Sequence, residues 1–493
     1  MSHATHHSHW VRQTPPQLKF PPPSSDQETE VLVIGAGIAG LTTAIELLHR
    51  GKQVIVCEAA TIGSGTTGGS SGHLDAHPEM GTAELLGQLG EDDARAYTQM
   101  RLEAIREISK RGSSCDYQTV PAYYYTEQPD NKSQLQKSYT AGLRIGLRAQ
   151  WMEQIPIAGA CCGYRCEDFG RIDVMKYLQV LSQQVIEQGG TIYENALVSG
   201  PVDTKPTQLR IVDGPNLRFQ QVACCVHSNF TDSMRLYLET PAYQSYCLVA
   251  RVSDPPEDAL FWDDSDPYFY TRRLGTEENL ILVGGCDHRT GAGDSLKAQA
   301  ELAAWVQQRF DVSEIVSQWS AELFEPTDGL PMIGAVAGKE NVWITTGLSG
   351  VGLTLGTASG KIIANLICGG KPSELVQKLS PARFALSGVA TLIGEQGVAA
   401  ANLAERVLPA EELEPALLQP GEGKVGKVDG KFVAICRDKQ GCHHRHSPIC
   451  THMGGVVHWN EAAQTWDCPV HGGRFAPDGS RIYGPPEQPL DAE

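Results

Sequence analysis

Hydrophobic periodicity is almost absent from the first thirty residues. His3, His6, His7 and His9 are followed by Pro15, Pro16 and Pro21 to Pro23, so residues 1–29 are expected to form a flexible tail. At Val31 the pattern changes: four apolar residues to Ile34 predict a buried strand, glycines follow, then a helical run Leu41 to Arg50 and a second strand Val54 to Val56. This is a βαβ unit. A polar helical stretch from Thr82 to Lys110 leads to an aromatic strand at Tyr123 to Tyr125. Asp173 is expected to N-cap an amphipathic helix reaching about Gln188, with Gly189-Gly190 ending it before a strand at Thr191 to Tyr193. Alternation around Tyr243 to Val252, Tyr268 to Arg272 and Asn279 to Val283 predicts an antiparallel sheet, with Ser295 to Phe310 as its covering helix. A helix is expected to begin near Ala358, and a helical region to run from Gly370 to about Leu408. Glu411-Glu412, Pro415 and Pro420-Gly421 then mark a boundary before a last module of short β-like runs.

A chain of 493 residues is long enough for two or three domains, and 41% hydrophobic against 20% charged residues supplies ample core material. No uncharged apolar run reaches the roughly 18 residues of a membrane span. The 58 acidic residues outnumber 40 basic ones for a net charge of -18, which argues against nucleic acid or an anionic membrane as partner. Fourteen cysteines are too sparse for a disulfide scaffold, and the N-terminus has no secretory pattern, so a reducing, cytoplasmic compartment is expected.

The glycines after the first strand read Gly35-x-Gly37-x-x-Gly40, and Glu58 closes the next strand eighteen residues later. The first glycine permits the tight turn, the second lets backbone approach a pyrophosphate, the third lets helix pack on strand, and Glu58 can accept from ribose hydroxyls. Dinucleotide binding follows from this register. Farther along, Pro326-Thr327-Asp328-Gly329-Leu330-Pro331 precedes Gly347-Leu-Ser-Gly350-Val-Gly352-Leu-Thr354, which has no third spaced glycine or following acid and is not a second nucleotide fold.

Together these motifs, with Gly170-Arg-Ile-Asp173, closely resemble the D-amino-acid oxidase and glycine oxidase family of FAD-dependent oxidoreductases over about residues 30–370. The resemblance implies an α/β, glutathione-reductase-like FAD domain on a βαβ Rossmann core, at about 30–80, 150–235 and 325–370. An interleaved α+β substrate domain would occupy about 81–149 and 236–324. It also implies that Thr66 and Thr67 lie along the FAD phosphates and ribityl chain, that Val198 meets adenine through backbone, and that Gly347, Gly350, Gly352 and Thr354 face the flavin. Hydride transfer to FAD needs little acid–base machinery, so the catalytic candidates are orienting groups: His73, Tyr270 and His288, with His77, Tyr268, Arg272, Asp287 and Arg289 near them in sequence. Trp319 to Gly334 contains no arginine to hold a carboxylate but does contain Glu322 and Glu325, which favours an amine or cationic substrate. Tethering residues are missing or offset, so FAD is expected to be non-covalent.

Residues 371–412 read as a helical connector and 413–493 as a separate domain. Its Cys450-Thr-His452 and Cys468-Pro-Val-His471 are separated by fifteen residues. Two thiolates and two imidazoles suit tetrahedral zinc as well as a cluster. The glycines after each pair, Gly454-Gly455 and Gly472-Gly473, and the β-like surroundings make the segment resemble a small all-β Rieske domain. By that resemblance Cys450 and Cys468 bind one iron of a 2Fe-2S cluster and His452 and His471 the other. Gly455 and Val470 stand where high-potential relatives pair cysteines, and Gly473 and Phe475 where they place hydrogen-bond donors to sulfur, so a low potential within the Rieske range is expected. Cys161-Cys162-x-x-x-Cys166 lacks a fourth ligand and reads as a packed loop.

The expected function is oxidation of a small amine or amino-acid-like substrate at a C–N bond, with electrons passing from reduced FAD to the cluster and an external one-electron acceptor or redox protein. The alternatives are a reductase partner of an oxygenase and a redox sensor that does not turn over.

Overall fold

The strand Gln27–Ile34 is buried throughout its second half, because Val31 to Ile34 present apolar side chains to both faces as a central parallel strand must. It pairs in parallel with Val54–Cys57, Val31 opposite Val54, and on its other edge with Asn216–Cys224, Ile34 opposite Cys224. The complete sheet runs Met332–Ala335, Val342–Thr346, Asn216–Cys224, Gln27–Ile34, Val54–Cys57, Thr191–Tyr193, with Gln208–Arg210 antiparallel beside Asn216–Cys224. The computed structural model describes residues 8–14, 17–200, 202, 205–231, 233–275, 279–383 and 389–493. Helix Ile38–His49 leaves the first strand directly and packs against Gly352–Ile367, whose glycines permit the approach: a Cβ on Gly356 would lie 2.6 Å from Ile38 Cγ2. Asp173 caps Val174–Glu187 as expected, its carboxylate accepting from the Lys176 amide at 2.9 Å.

A second sheet forms a roof over the carboxyl ends of the first. Its order is Val312–Phe324, Ala242–Val252, Leu280–Arg289, Phe269–Arg273, Leu260–Asp263, Gln118–Thr126, Cys162–Arg171, His73–Leu74, with Ala149–Met152 beside Cys162–Arg171. Helix Ser295–Arg309 covers its outer face through Leu302, Trp305 and Val306. The C-terminal domain has two small antiparallel sheets, Gly423–Val428 with Lys431–Arg437 and His443–His446, and His458–Asn460 with Thr465–Asp467, Arg474–Phe475 and Arg481–Tyr483. Among the described residues no helix is long and apolar enough to cross a membrane.

Several expectations are corrected. The segment 1–29 is not wholly a tail: His9–Gln13 is helical, Trp10 is buried with its Nε1 donating to the Ser70 carbonyl at 2.7 Å, and Phe20 donates its amide to Glu194. A lone buried tryptophan has no periodicity to announce it. His3, His6, His7, Pro15 and Pro16 lie outside the described residues. Residues 149–171 belong to the second sheet rather than the FAD part, and Cys162 and Cys166 stand in its strand Cys162–Arg171, not in a loop. The polar stretch divides into Thr82–Leu89 and Glu91–Ser109, because Gly90 adopts φ 78° between them. The helix expected near Ala358 begins at Gly352. The connector contains Glu374–Lys378 and Val389–Ala404, with 384–388 outside the described residues, and the Glu412–Lys427 bridge joins residue 412 to the C-terminal domain.

Candidate active site

The turn after the first strand carries out the division of labour its spacing predicts. Gly35 adopts φ 95°, and a Cβ on Gly40 would lie 1.8 Å from the Gly35 carbonyl oxygen, so only glycine lets the helix reach the strand. Gly37 starts the helix without a side chain to cap it; a Cβ there would lie 3.0 Å from Thr67 Oγ1. Glu58 accepts from the amides of Ala36 (2.9 Å) and Ala60 (3.1 Å), which counter the upward push of burial on its carboxyl.

These residues open onto a cavity of about 740 Å³ between the two sheets. Gly35, Gly37, Glu58, Thr66, Thr67, Val198, Gly347, Gly350 and Gly352 all line it. The Val198–Ile211 bridge is made through the Leu197 carbonyl and Ser199 amide, on either side of Val198. Gly40 lies behind the wall in its packing role. Thr354 does not reach the cavity: one turn into helix Gly352–Ile367, its hydroxyl accepts from Arg101 Nε at 3.2 Å. The long cavity, the uncapped helix start and the acid at the second strand's end fit a dinucleotide such as FAD.

From the second sheet and the loop after His73–Leu74, the cavity is also lined by His73, Asp75, Glu79, Trp262, Tyr268 and Tyr270. His73 lies edge-on to Tyr270, with ring centroids 5.3 Å apart, and its Nδ1 pairs with Ser71 Oγ at 2.7 Å; burial holds its pKa well below the usual histidine value. Tyr270 OH meets Cys247 Sγ at 3.2 Å. His288 is not in the cavity. Strand alternation turns Asp287 toward Tyr268, whose hydroxyl donates to Asp287 Oδ2 at 3.0 Å, and sends His288 to the other face, where Nε2 meets Tyr246 OH at 3.0 Å. Arg272 is buried elsewhere, donating to the carbonyls of Ser71 and Ile172.

Glu79, Asp75 and Arg101 had no pattern to reveal them, since they lie in a loop and on a mixed helix. Fully buried Arg101 donates to Asp75 Oδ1 (2.7 Å) and to the carbonyls of Asp75 (3.0 Å) and His77 (2.6 Å). Glu79 lines the cavity, and its side chain is exposed. Desolvation, then the charges of Glu325, Asp75 and Asp287, push its carboxyl up to about 8. Burial and Asp287 push Glu325 to about 7. Glu322 lies apart from these, fully buried, 3.3 Å from His227 Nε2 and next to Gly472 of the C-terminal domain.

That domain carries the second constellation. The Cys450 and Cys468 sulfurs are close enough to hydrogen bond, and the His452 and His471 rings lie 5.2 Å apart. Burial lowers His452 to about 4 and His471 to about 3, the neutral form that ligates metal. Among the described residues, no three His, Cys, Asp or Glu side chains gather to hold a single ion. Two thiols in one pair and two imidazoles in another are what a cluster with two protein ligands per iron requires. A Cβ on Gly455 would lie 2.6 Å from Val470 Cγ2, so Val470 fills the space a disulfide would occupy; all fourteen cysteines are free. Tyr237 packs against both imidazoles, at 5.1 Å from His452 and 4.7 Å from His471, and it lines the large cavity, as does His452.

Residues 30–366 match the family described as DAO, FAD dependent oxidoreductase, and residues 408–492 match the Rieske [2Fe-2S] domain. The chain is 27% identical over 481 residues, 96% of its length and 94% of the relative's, to the protein named Rieske 2Fe-2S iron-sulfur protein YhfW of Bacillus subtilis. It is 37% identical over 375 residues, 71% of this chain and 86% of the relative, to the oxidoreductase named OrdL of Haemophilus influenzae. The fold matches a glycine oxidase structure from Geobacillus kaustophilus with a TM-score of 0.60 at 18% identity, covering 73% of this chain and 100% of that one. The chain belongs to the FAD dependent oxidoreductase family and carries a C-terminal Rieske [2Fe-2S] domain.

Proposed function

We propose that this oxidoreductase removes two electrons from a small amine or amino-acid-like substrate at a C–N bond and delivers them singly, by way of the Rieske domain, to an external one-electron acceptor or redox protein. FAD supplies hydride acceptance and the 2Fe-2S cluster single-electron exchange when bound. The carrying observation is the shared wall: His452 and Tyr237 line the cavity, and Tyr237 touches both imidazoles. Gly35, Gly37, Glu58, Thr66, Thr67, Val198, Gly347, Gly350 and Gly352 would hold the dinucleotide, and Cys450, Cys468, His452 and His471 the cluster.

The substrate end supports a cationic substrate. Glu79 and Asp75 line it, Asp287 and Glu325 reinforce the negative field from behind, and Arg101 is committed to Asp75. An ammonium group would be drawn to Glu79, while Trp262 and Tyr270 enclose its apolar part. Neutral His73 and Tyr270 orient the amine rather than exchange protons with bulk water. The glycine oxidase likeness supports the same bond class. Free cysteines support placing the reaction in the cytoplasm.

The test is anaerobic mixing of holoprotein with a panel of amines and amino acids, following flavin bleaching optically and cluster reduction by EPR. A substrate that bleaches the flavin and then develops the reduced-cluster signal is expected. Bleaching by NADH alone would instead establish a reductase, and inertness to the whole panel a sensor.

A further inference from the structure

The nucleotide end of the cavity is walled partly by the C-terminal domain. Arg481, Tyr483, Gly484 to Pro486 and Glu487 line it together with the glycine turn and Glu58. Among the described lining residues Arg481 is the only lysine or arginine, set against the carboxyl groups of Glu58, Asp75, Glu79, Glu322 and Glu487. A dinucleotide carries a negatively charged diphosphate, which the helix start at Gly37 meets with only a partial positive charge. Without a further cation the acidic lining would oppose it. Arg481 is in electrostatic range of both Glu58 and Glu487. Its guanidinium is held in place by the carbonyls of Ile482, Gly484 and Pro486. The loop is also fastened to the FAD half: Glu487 accepts from the Gly200 amide (2.6 Å) and Ser199 Oγ (3.0 Å), beside Val198.

We infer that residues 481–488 of the Rieske domain are part of the FAD site, with Arg481 supplying the cation for the dinucleotide's diphosphate, so that FAD retention depends on the docked iron–sulfur domain. This rests on the cavity being the FAD site. FAD-stripped full-length protein is titrated with FAD and binding followed by quenching of flavin fluorescence, with cluster EPR verifying that the C-terminal domain is folded. Arg481→Met is expected to weaken binding about tenfold or more at low salt. Arg481→Lys should lose much less, and the difference between wild type and Arg481→Met should shrink as salt rises. Arg481→Met binding within twofold of wild type, with the EPR signal intact, overturns the inference. Should Arg481→Met lack the cluster signal, Glu487→Ala decides, because it removes the acceptor that ties the loop to Gly200 and Ser199 while keeping the cation: faster FAD release supports the inference and unchanged release overturns it. Failure of the FAD reading itself would appear in wild-type protein, as no FAD binding at all.

Discussion

Glu79 and Arg101 illustrate how single residues set the chemistry here. Glu79, pushed up to about 8, is largely protonated at pH 6 and ionised at pH 9, so binding of a cationic substrate is expected to tighten across that interval. Measured as KM or as the Kd of a cationic inhibitor against pH, the profile should flatten in Glu79→Gln. The stability sign is opposite: a carboxyl raised in the folded state favours folding at low pH, and that support is lost as pH climbs from the unfolded value toward 8. Glu79→Gln should therefore raise Tm relative to wild type at pH 9 and leave it nearly unchanged at pH 4. Arg101→Leu removes the partner of buried Asp75 and strands two carbonyls; a loss of about 3 kcal/mol is expected in denaturant unfolding.

At the scale of elements, the glycine turn and the two cluster loops are governed by what may approach the backbone. A methyl group at Gly40 would overlap the Gly35 carbonyl oxygen, so Gly40→Ala should abolish FAD retention and yield mostly insoluble protein on expression. The cluster loops are packed by Val470 on Gly455 rather than cross-linked, and Gly473 and Phe475 offer no side-chain hydroxyl to sulfur. The cluster midpoint is accordingly expected below about +200 mV in a redox titration, within a Rieske span of about −150 to +300 mV. The turn was readable because its spacing is local. The start of helix Gly352–Ile367 was not, because glycines that normally interrupt helices are used here to bring two helices together.

For the whole molecule, the decisive feature is docking of the Rieske domain onto the roof sheet. Arg289 donates to the Pro469 carbonyl at 3.1 Å, His458 meets the Gly291 carbonyl at 2.7 Å, and Tyr237 bridges cavity and imidazoles. Tyr237→Leu is expected to slow cluster reduction after substrate mixing while leaving the rate of flavin bleaching unchanged, a split that stopped-flow absorbance and rapid-freeze EPR resolve. Equal slowing of both phases would show that Tyr237 acts on the substrate step instead.

Local spacing alone determined the βαβ glycine turn, the acid that closes it, the two Cys-and-His pairs of the C-terminal domain and the absence of cysteine at positions 455 and 470, because each depends on residues close in the chain. Only the tertiary structure decided that His288 faces away, that Thr354 is held by Arg101, that Trp10 anchors the N-terminus and that acids distant in sequence converge on the cavity. It also placed the one arginine among the described lining residues on a different domain from the glycine turn. Pleat direction, helix packing and domain docking set those outcomes, and none leaves a periodic trace in the order of residues.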